Sequence, residues 1–253
     1  MDETTYYRAS PMWLREGEET TWDAIQDGQL LDAAAHAEVK SAEERVLSFR
    51  YRVLKRSLDF GCASILSAIL LPAAVVIAAC IKLTSKGPVI YREKRIGRYG
   101  VPFTIFKFRT MHTKAQLSEL LGKEFTREQL ASWRTDRKND RDPRITAVGQ
   151  FLRRWSLDEL QQLLNVIRGD MSLVGPRPVV QAERDRFGSY GGDLYDLALP
   201  GISGLWQVSG RSDLSFDKRV DLDSQYAREW GISRDLWILL RTLPAVLSKR
   251  GAY

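Results

Sequence analysis

The sequence predicts an α+β protein: a mainly helical domain with a small antiparallel hairpin, joined to an N-terminal apolar helix that is broken at Pro72 and re-enters the membrane. Three observations predict it. Phe60 to Ile81 carries no charge and holds Pro72 near its middle. Two short runs with alternating apolar and polar residues follow, at Pro88–Gly97 and Pro102–Met111. After Ser156, Leu160, Leu163, Leu164 and Ile167 recur at helical spacing.

The apolar run decides the membrane reading. At about 1.5 Å per residue, roughly 22 helical residues reach about 33 Å, enough for one crossing. Both flanks are basic: Arg50, Arg52, Lys55 and Arg56 precede the run, and Lys82, Lys86, Arg92, Lys94 and Arg95 follow it. A single crossing would put one basic flank on the outer side, against the bias that keeps Lys and Arg cytoplasmic. A break at Pro72 leaves each half about 16 Å long and returns both flanks to one side. Length alone also fits an ordinary span or a buried core helix, since proline is tolerated in spanning helices.

With 253 residues, the chain divides into an acidic extension (1–45), a basic juxtamembrane helix with the membrane hairpin (46–86), and a domain over 87–253. Net charge is +6, unevenly placed: residues 1–45 hold 4 basic and 11 acidic side chains, leaving about +13 on the rest. A basic body beside an apolar segment suits anionic headgroups and phosphorylated substrates. Nucleic acid is disfavoured, because no nucleic-acid-binding module is recognisable. Cys62 and Cys80 both lie inside the apolar run, and His36 and His112 are isolated, so neither a disulfide framework nor a zinc site is expected. No secretory signal, Walker loop or dinucleotide fingerprint is present.

Within the extension, a helix is expected around Trp22–Ala37. The basic helix from Arg45 to Asp59 leads into the apolar run, with Lys55 and Asp59 one turn apart and able to pair. In the hairpin, joined near Tyr99-Gly100, Lys107 and Arg109 project from one face. Lys114–Trp133 reads as helical and Thr135–Arg144 as a charged loop.

Ser156-Leu157-Asp158-Glu159 has capping-box spacing, with a helix running on to Gly169. Acids in a first helical turn commonly just complement the helix dipole. The context here is richer. A short strand, Met171–Val174, leads into Gly175-Pro176-Arg177-Pro178, where two prolines fix the backbone around a guanidinium suited to bidentate phosphate binding. Gly201–Gly204, Trp206-Gln207 and Gly210-Arg211 then form a glycine-punctuated stretch, while Asp223 and Tyr226 share a helix face. Asp235–Leu247 alternates around Trp237 and Pro244, and fits the membrane interface or the core.

From Lys55 to Tyr253 these motifs, in this order, resemble the monotopic phosphoglycosyl transferases of the bacterial sugar transferase family. The matching stretches are Lys55-Arg56 with Asp59, Arg95-Ile96-Gly97, Lys107 to Met111, Asp142-Pro143-Arg144, Ser156 to Leu160, Gly169 to Ser172, Gly175 to Pro178, Pro200-Gly201, Gly204 to Arg211, and Asp223 with Tyr226. The resemblance implies transfer of galactose or glucose 1-phosphate from a UDP-sugar to undecaprenyl phosphate, releasing UMP. It implies Asp158 as nucleophile, forming a phosphosugar–aspartyl intermediate, and Glu159, with Asp158, as the Mg2+-associated carboxylates. Arg177, Lys107, Arg109, Arg95, Gly175, Gln207, Arg211, Asp223 and Tyr226 become candidate substrate-binding residues, with Lys55, Arg56, Asp59 and Pro72 as membrane anchors. A homodimer and a place on the cytoplasmic face of the bacterial inner membrane are likewise implied. Two positions depart from the family pattern: Leu71 stands where Ser usually precedes the proline, and Gln161 where a proline usually follows Asp-Glu-Leu. Two other classes are weighed: a basic single-span adaptor without chemistry, and a transferase that moves the sugar alone and releases UDP.

Overall fold

The computed structural model describes residues 29–121, 142 and 144–247. The helix expected around Trp22–Ala37, the far end of the Lys114–Trp133 helix, most of the charged loop and the last six residues lie wholly or partly outside them. The chain is mainly helical. A helix over Gln29–Leu47 is followed by a short π-helical stretch, Arg50–Lys55, which runs into one long helix, Arg56–Thr84.

That long helix continues through Pro72 without an unwound turn. A proline deletes one backbone donor, and the helix on either side persists on its remaining hydrogen bonds. Its outer face is left bare: Ile65, Ile69, Leu71, Val75 and Val76 are all exposed. Its inner stripe is covered. Ala63 is buried in the main core, with Leu70 beside it, while Ile81 is buried with Phe108 and Leu152, with Ala74, Ile77 and Ala78 alongside.

Each end of the helix is tied down by polar contacts. Near the start, Lys55 Nζ donates to Asp235 Oδ2 at 2.7 Å and to the Val174 carbonyl at 3.0 Å, with Asp59 Oδ2 at 3.8 Å. The Leu173 amide donates to Asp59 Oδ1, and Arg56 donates to the carbonyls of Val166 and Ile167. Lys55, Asp59 and Asp235 are each 2% exposed or less. At the far end, Arg109 Nη2 donates to the Ser85 carbonyl and to Ser85 Oγ, at 2.8 and 2.7 Å. Lys55, Arg56 and Asp59, expected at the headgroup boundary, thus dock the helix on the body.

The body is built on two small sheets. β1 (Ile90–Ile96) and β2 (Pro102–Phe108) form the anticipated antiparallel hairpin, with Tyr99 and Gly100 taking left-handed conformations in the turn. β3 (Ser172–Val174) pairs in parallel with β4 (Gly201–Ser203), a second sheet the sequence reading did not contain. Asn165 ties the hairpin to the helix Gln162–Arg168: its Nδ2 donates to the Thr104 carbonyl at 2.7 Å and its Oδ1 accepts from the Phe106 amide at 3.2 Å. The last helix, Ile232–Leu247, buries Asp235 and Ile238 and leaves Leu236, Trp237, Leu240 and Leu243 outward.

Lys55→Met leaves the carboxylates of Asp59 and Asp235 buried beside no cation, and removing one partner of a buried ion pair costs about 3–5 kcal/mol. A thermal melt of the purified protein in nanodiscs should show a large drop in midpoint for this variant and a small one for Lys218→Met, whose exposed Lys218–Asp221 pair spans 3.9 Å.

Candidate active site

Asp158 and Glu159 stand where a helix was expected and is not formed. The helix Ala147–Arg154 starts at an N-cap, Thr146 Oγ1 accepting from the Gly149 amide at 2.8 Å, and it stops at Trp155. Ser156 then takes a left-handed conformation, φ 53°, and its side chain caps nothing. Leu157–Glu159 is a single 3-10 turn, and the α-helix begins only at Gln162, ending at Gly169 with φ 95°. The capping box is therefore absent. Leu157 and Leu160 pack against the Ile81–Phe108–Leu152 cluster, which fixes the turn from below. A non-glycine residue in this conformation costs about 1–3 kcal/mol and persists only where surrounding structure imposes it.

Glu159 lines a cavity together with Arg95, Lys107, Gln162, Arg177 and Gln207. Lys107 Nζ lies 2.7 Å from Glu159 Oε1. Asp158 sits half-buried one residue earlier. The two carboxyls differ in acidity. Burial pushes Asp158 above the usual carboxylate range, and the neighbouring Glu159 adds to it, against Lys107 and Arg153. For Glu159, burial acts upward too, but Lys107, Arg177 and Arg95 outweigh it and hold the group below its usual range. Burial and Glu159 thus act on Asp158 in the direction opposite to a helix dipole complemented by a first-turn acid. The two neighbouring carboxyls are thus set apart in acidity.

The Arg177 loop is held from both sides. The Tyr195 hydroxyl donates to the Arg177 carbonyl at 2.8 Å, and the Arg177 amide donates to Asp223 Oδ2 at 3.3 Å. The guanidinium lies 5.5 Å from the Trp206 ring, which also faces Arg219. Gly175 is required by crowding: a Cβ there would fall 2.1 Å from the Leu199 carbonyl oxygen, where the chain leaving β3 passes the residues that lead into β4. Gly175 thus serves backbone packing.

The remaining candidates separate. Arg95 reaches the cavity wall while paired with Glu93. Arg211, with φ 53°, is near enough to feel the charge of Glu159, although burial lowers its own pKa. Arg109 is drawn away to Ser85. Asp223 and Tyr226 are buried: Asp223 holds the Arg177 backbone, and the Tyr226 hydroxyl donates to Asp235 Oδ1 and the Val174 carbonyl. Sequence reasoning missed Asp235, Asn165 and Tyr195.

Glu159 and the Gln207 Oε1, which is buried without a partner, are hard oxygen donors at this cavity, and Asp158 is the residue before Glu159, outside the cavity lining. Among the described residues no group of three or more His, Cys, Asp or Glu side chains could hold a metal. Such a donor set fits Mg2+ held by one or two carboxylates and completed by substrate phosphates, rather than an all-protein cage.

A family model described as bacterial sugar transferase matches residues 50–249. The chain belongs to the bacterial sugar transferase family. It is 46% identical over 202 residues to the exopolysaccharide production protein ExoY of Rhizobium meliloti, covering 79% of this chain and 88% of that protein. It is 46% identical over 205 residues to the undecaprenyl-phosphate galactose phosphotransferase of Salmonella typhimurium, covering 80% of this chain but 42% of that protein. It is 36% identical over 209 residues to the UDP-glucose:undecaprenyl-phosphate glucose-1-phosphate transferase of Escherichia coli, with the same coverage. The chain therefore spans less than half the length of the latter two relatives. The matched region of this sugar transferase begins at Arg50, the start of the π-helical run into the apolar helix, so helix and cavity fall within one family unit.

Asp223 supplies a test of this geometry. Burial raises its carboxyl well above the ordinary value, the Arg177 amide and charge opposing. The folded protein therefore binds this proton more tightly than the unfolded chain does. Its contribution to stability is greatest below about pH 4, the unfolded value, and is lost as pH rises through the folded value. Asp223→Asn should remove that decline. Melting midpoints measured from pH 4.5 to 8 should fall more steeply for wild type than for the variant.

Proposed function

We propose that this protein transfers galactose or glucose 1-phosphate from a UDP-sugar to undecaprenyl phosphate at the cytoplasmic face of the bacterial inner membrane, as the first membrane step of exopolysaccharide or O-antigen assembly. The observation that carries the proposal is the divided carboxylate pair: Glu159 held as a charge by Lys107 at a cation-lined cavity, with the more basic Asp158 beside it. The names of the relatives above support the sugar and the acceptor.

In this reading Asp158 is the nucleophile. An oxygen of its carboxylate attacks the sugar-proximal phosphorus, and the bond from that phosphorus to the bridging oxygen breaks, so UMP leaves with the electron pair. A phosphosugar–aspartyl mixed anhydride remains. A phosphate oxygen of undecaprenyl phosphate then attacks the same phosphorus and releases the carboxylate, giving a polyprenyl diphosphosugar. Arg177, its backbone fixed by Tyr195 and Asp223, and Lys107 hold phosphate oxygens in place. Mg2+, held by Glu159 with Asp158 or Gln207, would supply neutralisation of charge on the leaving phosphate.

Both ends of the apolar helix are secured to one body, through Lys55–Asp235 and through Ser85–Arg109. That supports a helix whose two ends return to one face of the membrane. The outward face of Ile232–Leu247 would rest in the same interface.

Incubation with a panel of UDP-sugars and undecaprenyl phosphate should release UMP. Release of UDP would point to transfer of the sugar alone, and no turnover with any donor would favour the non-catalytic adaptor. Donor without acceptor should leave a peptide containing Asp158 heavier by one hexose phosphate. Asp158→Asn should lower turnover roughly a thousandfold or more. An unmodified Asp158 in an enzyme that still accumulates product would overturn the covalent route.

A further inference from the structure

Lys107 and Glu159 already satisfy one another before any substrate is present. Their charged atoms lie 2.7 Å apart, and both side chains are largely covered, 17% and 26% exposed. The same cavity wall carries Arg177 and also Arg95, which is paired with Glu93. A divalent cation entering alone would meet the Lys107 ammonium and a carboxylate whose near oxygen is taken. A diphosphate entering alone would find Lys107 and Arg177, but would have to pull Lys107 from Glu159 and leave that carboxylate without its hydrogen-bonded ammonium in a covered site. Neither ligand is well received by itself.

We propose that Lys107 is an exchangeable partner that makes the two ligands bind together: on binding it moves from Glu159 to a diphosphate oxygen, and Glu159 is thereby released to the cation. The idea rests on the function proposed above and adds to it a coupling between donor and metal. By linkage the coupling is reciprocal: the diphosphate raises cation affinity by the same factor as the cation raises diphosphate affinity. It also keeps Glu159 neutralised in the empty enzyme, so the cavity does not gather stray divalent ions. Ammonium suits this exchange better than guanidinium would, being a compact charge on a flexible stem with three rotatable donors.

The test measures binding rather than turnover. Mn2+ is titrated into the purified full-length protein in nanodiscs without nucleotide, and free Mn2+ is read by electron paramagnetic resonance. Wild type should bind weakly at this site. Lys107→Met, with Lys107→Gln as a second variant in case the first misfolds, should bind Mn2+ roughly tenfold more tightly, because Glu159 is freed. Adding Glu159→Gln to either variant should abolish that gain, and Lys107→Arg should keep affinity near wild type. A Lys107→Met or Lys107→Gln protein that melts like wild type but binds Mn2+ no more tightly overturns the exchange. So does a gain that survives Glu159→Gln. If UMP release is intact in wild type while the Mn2+ result fails, the exchange is wrong and the transfer reading stands. No UMP release from any UDP-sugar would remove both.

Discussion

The buried contact between Lys55 and Asp235 joins the part of this protein that meets the membrane to the part that carries chemistry. An ammonium withdrawn from water costs several kcal/mol unless each of its protons finds a partner. Lys55 has three acceptors within reach: Asp235 Oδ2, the Val174 carbonyl and Asp59. Asp235 in turn accepts from Tyr226 and Trp230, and Asp59 from the Leu173 amide. The network leaves no member to relax toward solvent, so the start of the apolar helix and the strand β3 are held as one piece.

What β3 leads into gives that rigidity a consequence. The strand ends at Val174, and the next three residues are Gly175, Pro176 and Arg177. Gly175 presses on the backbone of Leu199, Pro200 and Gly201 too closely for any side chain, and Tyr195 and Asp223 clasp the Arg177 backbone. On the opposite side of the cavity, Asn165 and the Phe108 cluster fix β2 and the turn bearing Asp158 and Glu159. The cations and the carboxylates thus come from separate elements, each braced against the same apolar helix. Pre-placing charged groups in this way leaves little reorganisation for the moment of reaction.

Much of the architecture was legible in order along the chain. The hairpin, its turn, the end of the helix at Gly169 and the strand before Arg177 follow from alternation, glycine placement and proline restriction, which act over a few residues. The conformation around Asp158 was misread for a local reason: Ser-x-x-Glu spacing is necessary for a capping box but does not require one. Packing of Leu157 and Leu160 against the apolar helix selected a 3-10 turn instead. Arg109 was misplaced because β2 stops at Phe108, so strand alternation no longer decides where its side chain goes.

The sequence by itself determined the apolar segment with its two basic flanks, the hairpin, the acidic pair and the proline-bracketed arginine, because each depends on residue type and near neighbours. Only the tertiary structure decided that Lys55, Arg56 and Asp59 face inward to the body, that Arg109 secures a helix end, and that Asp158 and Glu159 differ in acidity. Those outcomes depend on groups brought together from as far apart as Lys55 and Asp235, whose meeting is set by packing of the whole chain and is written in no local pattern.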